Sequence, residues 1–343
     1  MMPEASSAQT APVPVEAQLL EMMLSQVVSR LVNLAAVLKL PDHLAPGPKT
    51  AEELAALTAT SAPVLYRVLR TLSSFGLFTE DAAHRFSLLP LGQALQTGTP
   101  SHAAALMLSG EFISRSLDHL LHSVQTGETG FQKAFGQRLF DWLAAHPTEA
   151  GLFNATMVGV HGMEPAAVAD AYDFSIFDTV ADIGGSTGNM LTTILGRHAR
   201  PRGILFDMPH VVRDAPALIR ERGLTDRIRI EAGSFFESVP SGADAYVLSH
   251  VIHDWTEQQC LTILGNCRRA MKPGARVLLV EMVLPSGDVP HLGKILDMLM
   301  LVTPGGEERT AEQYGPLLEK AGLRMTGVIS TASPVSIVEA VLS

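Results

Sequence analysis

From Phe177 onwards, short runs of β-branched and apolar residues alternate with stretches patterned for helices: FDTVADIGG, RGILFDM, IRIEAGSF, DAYVLSHV and RVLLVEMV. Parallel strands cannot be joined by a tight hairpin. They need a crossover, and crossover helices cover both faces of the sheet. The pattern therefore predicts an α/β fold, a doubly wound parallel sheet occupying residues 166–343. What precedes it reads almost entirely as helix. Residues 1–15 are expected to be a disordered tail, 16–100 a winged-helix-like dimerisation domain, and 101–165 a helical linker lining a substrate pocket.

The chain has 343 residues, 47% of them hydrophobic, enough for two domains with sizeable cores. No uninterrupted apolar run approaches the roughly 18 residues of a membrane span. The start, MMPEASSAQTAPVPVEAQ, lacks the basic and apolar segments of a signal peptide, so a cytoplasmic location is expected. A net charge of −10, with no long Arg or Lys runs, argues against nucleic acid or an anionic membrane as the main partner. The two cysteines, Cys260 and Cys267, fall on one predicted helix, about 10 Å apart, too far for a disulfide. Without a matching histidine pair they make a poor zinc site, and no metal is expected.

Between Glu16 and Leu40, apolar residues recur at helical spacing: Leu19, Leu20, Met23, Val27, Val28, Leu31 and Leu34. One neighbouring helix cannot cover so many, which points to a homodimer. Thr50 and Glu53 form a capping-box signature. A second helix from Ala62 to Ser74 ends at Gly76, and Leu77–Leu89 alternates like a small hairpin. Helix, turn, helix and hairpin suggest a winged helix. Its reading helix offers only Arg67 and Arg70 as cations, so a scaffold role is favoured over DNA recognition. Phe131, Phe135, Phe140, Trp142, Phe153 and Met157, in the helical stretch 100–170, read first as core.

The segment VADIGGSTGNM sits where the first strand of the sheet gives way to a helix. Gly184, Gly185 and Gly188 permit a tight turn with no Cβ in a ligand's way. Aligned on Gly184, a dinucleotide fingerprint needs glycines at 186 and 189, where this chain has Ser186 and Asn189. Asp207 ends the second strand some 20 residues on, where a carboxylate can accept hydrogen bonds from ribose hydroxyls. Asp182, just before the glycines, would repel a pyrophosphate and attract a sulfonium. The electrostatics therefore prefer S-adenosylmethionine to NAD.

His253 follows the fourth strand, in YVLSHVIHDW, at the edge where open α/β sheets place their ligands. Glu281 closes the next strand and should emerge at the same edge, and Glu308 lies in the glycine-marked loop PGGEERT. A base that takes a proton from a hydroxyl gains from a carboxylate on its other ring nitrogen, which fixes the tautomer and stabilises the imidazolium.

DIGGSTGN, FDMPHVV, GSFFESVP, VIHDW, VEMVLP and PGGEERT, in this order, resemble the plant-type small-molecule O-methyltransferases and their bacterial relatives in polyketide and phenazine tailoring. The resemblance covers nearly the whole chain. It implies a homodimer with intertwined N-terminal domains and a Rossmann-like domain that binds S-adenosylmethionine. It also implies methylation of a hydroxyl on a small aromatic secondary metabolite. Position by position, His253 resembles the general base, flanked by Glu281 and Glu308. Asp182, Gly184, Gly185, Asp207 and Met208 fall at cofactor positions, as do Ser234, Phe235 and Ser249. Asn154, Met157 and His161 fall on the acceptor-lining helix, and His250 and Asp297 face the same pocket. Ser186 replaces a family glycine, Ser234 a family aspartate, and Ser249 the lysine of plant members. Two other readings compete: a relative that decarboxylates or hydroxylates, and a DNA-binding regulator that senses a small molecule.

Overall fold

The computed structural model describes residues 14–343; most of the expected tail lies outside the described residues. The chain forms two compact units. One comprises the chain up to Phe112 together with Gly151–Val160, and the other Ile113–Ala150 together with His161–Ser343.

The first unit opens with the helix Val15–Val37. Its C-terminal end is anchored: Ala35 and Ala36 are buried, Arg30 donates to the Ser109 carbonyl at 2.9 Å, and Asn33 donates to that of Ala105 at 3.0 Å. Its N-terminal two-thirds expose Leu19, Leu20, Met22, Met23, Leu24 and Val27. By length and composition this helix could cross a membrane. That property escapes a search for uninterrupted apolar runs, because Gln18, Glu21, Gln26 and Arg30 punctuate it.

The helices Ala51–Thr58 and Ala62–Ser74 pack around Leu54, Leu65, Leu69 and Leu72, all fully buried. The second ends where Gly76 turns into the left-handed region at φ 78°. The wing follows: β1 (Phe78–Glu80) pairs antiparallel with β2 (Phe86–Leu88), and Phe78 and Phe86 point into the core. Arg67 and Arg70 lie on the exposed side of their helix.

In the second unit seven strands form one sheet: β3 (Thr179–Ile183), β4 (Arg202–Asp207), β5 (Ile228–Ala232), β6 (Ala245–Ser249), β7 (Arg276–Glu281), β8 (Leu323–Ser330) and β9 (Ser336–Leu342). Their order is β5-β4-β3-β6-β7-β9-β8, parallel except for the antiparallel pairings of β9 with β7 and β8. Side chains alternate between two cores. Ala181 and Ile183 join Cys260, Ile263, Leu264 and Leu317 on one face, and Val180 joins Leu191, Ile194 and Phe174 on the other. Cys260 and Cys267 are free and buried in the helix Glu257–Ala270. The sequence pattern does not reveal β8 and β9. Strand β8 lies at the sheet's edge, half exposed, with a register shift between Met325 and Gly327, so its alternation is blurred.

The order reverses between β3 and β6. At such a switch point the connecting loops leave in opposite directions and open a crevice beyond the strands' carboxyl ends. The glycine loop and the segment Ser249–Trp255 both emerge there.

The capping box predicted at Thr50 is present: the Glu53 amide donates to Thr50 Oγ1 at 3.3 Å, and the Thr50 amide donates to the Glu53 carboxylate at 2.8 Å. Thr50→Ala should therefore destabilise this unit by about 1 kcal/mol, read as a lower urea midpoint at unchanged m-value.

Candidate active site

Gly184 takes φ 73°, Ser186 φ 54° and Gly188 φ 87°, so the loop after β3 curls back on itself before the helix Asn189–Arg197 begins. A Cβ on Gly184 would lie 2.9 Å from a Val251 methyl, and one on Gly185 would lie 2.6 Å from the Asp182 carboxyl. The loop is thus pressed between the ends of β3 and β6, with Asp182 directly beneath it.

Asp182 is almost fully buried. Neither of its oxygens has a hydrogen-bond partner among the described residues. Burial pushes its carboxyl up to about 7, and the charge of Asp207 acts in the same direction. An acid left unsatisfied in this way favours a cationic or hydrogen-bond-donating ligand. Asp207 is oriented by the backbone amides of Ser186 (2.9 Å) and Met208 (2.7 Å), which occupy one lone pair on each oxygen. The remaining lone pairs can serve a vicinal diol. Phe235 lies beside Gly184, and its ring meets those of Phe236 and Trp255 edge-on. The donor set fits the ribose, the adenine and the charged end of S-adenosylmethionine. Ser234 Oγ accepts from the Phe236 amide at 3.3 Å, a local turn that shapes the Phe235 loop. Met208 is exposed and Ser249 half-buried at the end of β6.

His253 stands at the mouth of the same crevice with only 8% of its surface exposed. Its Nδ1 lies 2.9 Å from Glu308 Oε1 and 3.4 Å from Glu281 Oε2. The other oxygen of Glu281 accepts the Ile252 amide at 2.8 Å, so that carboxylate is fixed to the same turn as the histidine. Glu308 is held in turn by Asp297, which accepts its backbone N–H at 2.8 Å. Burial disfavours a charged imidazole, but Glu281, Asp254 and Glu308 outweigh it and raise His253 to about 10. Burial lifts Glu281 to about 7 against the pull of His253. Nδ1 is thus committed to the carboxylates, which leaves Nε2 for chemistry. The nearest charged atom to Nε2 is Asp254 Oδ1, at 3.6 Å, beyond a good hydrogen bond.

Sequence reasoning missed three supports. Gly306 has no room for a Cβ, because the His253 carbonyl occupies that space and accepts the Glu307 amide at 2.7 Å. Arg309, buried, donates to the Glu307 carbonyl at 3.1 Å. Glu164 is buried and bonds two histidines, His161 Nδ1 at 2.9 Å and His250 Nε2 at 2.7 Å. No local motif marks Glu164, which reads as an ordinary first-turn helix glutamate. The structure therefore gathers His253, Glu281, Glu308, Asp297, His250 and His161 within one unit. Asn154 and Met157 belong to the first unit, the former exposed and the latter half-buried.

A nucleoside-binding loop at the switch point, with a carboxylate-clamped histidine beside it, defines a Rossmann-like transferase that uses S-adenosylmethionine. Comparison with known proteins makes this specific. An O-methyltransferase domain matches residues 117–324 and an O-methyltransferase dimerisation domain residues 20–98. The phenazine O-methyltransferase PhzM of Lysobacter antibioticus is 45% identical over 329 residues, covering 96% of each chain. The crystal structure of LaPhzM superposes with a TM-score of 0.90 at 44% identity, over 96% of this chain and 100% of that one. A neocarzinostatin-biosynthesis O-methyltransferase, NcsB1, solved with S-adenosylmethionine and 2-hydroxy-5-methyl naphthoic acid, gives 0.81 at 30% identity, over 98% and 100%. The chain belongs to the S-adenosylmethionine-dependent O-methyltransferase family.

Gly185→Ala should weaken S-adenosylmethionine binding at least about tenfold by calorimetry, since its Cβ would fall 2.5 Å from a Leu205 methyl and 2.6 Å from the Asp182 carboxyl.

Proposed function

We propose that this enzyme methylates a ring hydroxyl of a small polycyclic aromatic metabolite, with His253 as general base. The observation that carries the reading is the clamp on Nδ1: two buried carboxylates fix the ring so that only Nε2 can meet an acceptor. The phenazine acceptor class rests on the 45% identity to the Lysobacter enzyme.

The bound cofactor supplies an activated methyl group on a cationic sulfur. The chain's own residues do the rest. Asp207 and the glycine loop would hold the nucleoside, the buried Asp182 beneath that loop would favour a cationic or hydrogen-bond-donating group, and His253 removes the hydroxyl proton of the acceptor. A phenol's reference pKa is about 10. The carboxylates around His253 raise its affinity for the proton, which moves it towards that of a phenol. Glu281 and Glu308 stabilise the imidazolium, and Asp297 keeps Glu308 in place.

His253→Ala should lower turnover at least about 100-fold while S-adenosylmethionine still binds. In the parent enzyme only neutral His253 can act, so kcat/KM should rise with pH from neutrality towards the raised pKa of about 10. Glu308→Gln removes one of the charges that raise this pKa. It should cost less than loss of the base and move the rising limb to lower pH. A pH profile unchanged by that substitution would place the base elsewhere.

We also propose a cytoplasmic homodimer, supported by the dimerisation domain over residues 20–98 and the exposed apolar stripe of the Val15–Val37 helix. Leu20→Asp together with Val27→Asp should shift the mass measured by light scattering from two chains to one.

A further inference from the structure

His161, Glu164 and His250 form a second cluster, built apart from the clamp on His253. Glu164 opens the helix Glu164–Ala171, and its amide donates at 3.0 Å to the carbonyl of His161 in the preceding turn. His250 follows directly on β6, and its amide is held by the Val280 carbonyl of β7 at 3.0 Å. A single oxygen, Glu164 Oε2, meets both rings: His161 Nδ1 at 2.9 Å and His250 Nε2 at 2.7 Å. One ligand atom from each of the three residues lies within 4.8 Å of those of the other two. No local motif announces the cluster, since His250 is eighty-six residues from Glu164.

Glu164 is buried, and its ion-pair partners among the described residues are these two histidines. Burial pushes its carboxyl up, but the two rings outweigh burial and hold it down to about 2, so it is an anion at neutral pH. Burial keeps His250 neutral, at about 4. The anion thus sits in the interior with no lysine or arginine paired to it among the described residues, an arrangement that a cation stabilises. His250 Nδ1 is buried without a partner, so no hydrogen bond on that side fixes the tautomer of the ring.

The distances select a class of ion. Around a tetrahedral zinc with bonds of about 2.1 Å, ligand atoms sit roughly 3.4 Å apart. In an octahedron with the same bonds, adjacent ligands sit about 3.0 Å apart, close to the 2.7 and 2.9 Å found here. An octahedral ion can therefore replace the two hydrogen-bonding protons with little movement of the heavy atoms. The ring protons then sit on His161 Nε2 and His250 Nδ1, and none is released. His161, with 25% of its side chain exposed, gives the ion a way in. A second set, His250, His253 and Glu281, is similarly close. It is the poorer site, because His253 Nδ1 already engages two carboxylates and the ring holds its proton up to about 10.

We propose that His161, Glu164 and His250 bind one octahedral divalent transition-metal ion, of the class of Fe2+, Co2+ and Ni2+. Two imidazoles and a carboxylate supply one face of the octahedron and leave its other positions to water. The ion would tie the helix Glu164–Ala171 to the end of β6. The site stands whichever residue serves as the base.

The test uses untagged protein near neutral pH. Calorimetric titration with Ni2+ should give one site per chain with a Kd below about 10 µM, and Ni2+ should raise the thermal midpoint. Co2+ should show the weak visible absorption of an octahedral ion and not the intense bands of a tetrahedral one. Glu164→Gln preserves volume and removes the anionic ligand, and His161→Ala removes the partly exposed one. Each should weaken Ni2+ binding at least about tenfold, the least that loss of even an outer-shell partner costs. Circular dichroism checks that both fold, and His161→Ala decides if Glu164→Gln does not. Unchanged Ni2+ affinity in the variants would place the ion elsewhere and overturn the site. So would intense tetrahedral Co2+ bands, or a parent enzyme that binds no Ni2+ up to about 1 mM.

Discussion

Two carboxylates, Glu281 and Glu308, lie buried on the same ring nitrogen of His253. The imidazolium offsets their repulsion, and they raise its affinity for the proton. Much of the local structure follows from keeping these three groups together. Glu281 must end β7 at the level where the turn after β6 offers the Ile252 amide. The PGGEERT loop must approach so closely that only glycine fits at 306. Asp297 must hold the backbone at Glu308. Parallel strands with helices on both faces supply the rigidity, because both flanks of β6 and β7 are packed and cannot shift independently.

The same sheet edge carries the cofactor loop, and the two halves of the site use charge differently. Beneath the glycine loop neither Asp182 oxygen has a hydrogen bond within 3.5 Å among the described residues, which favours a cation or donor there. At the histidine end Glu308 and Glu281 already engage Nδ1 of His253, and Asp254 stands 3.6 Å from Nε2. The two groups of residues are joined by the short span between Gly184 and Val251.

Much of this was legible beforehand. The alternation after Phe177 announced the five parallel strands, VADIGGSTG and Asp207 announced the cofactor loop, and VIHDW with Glu281 and Glu308 announced the clamp. The edge strand β8 was hidden because an exposed strand with a bulge shows no clean alternation. Glu164 was hidden for a different reason. Its two partners are three and eighty-six residues away, and the long-range one is set by how a helix abuts the end of β6.

What the sequence determined alone is whatever depends on local spacing: the period of the strands, the capping box at Thr50, the glycine turn, and the family to which those motifs belong. Only the tertiary structure decided which oxygen meets which nitrogen. His253, Glu281 and Glu308 span 56 positions of sequence. Whether they share one proton or stand apart depends on the sub-ångström placement of three separate backbone segments. That placement comes from packing and strand order, which no local pattern encodes.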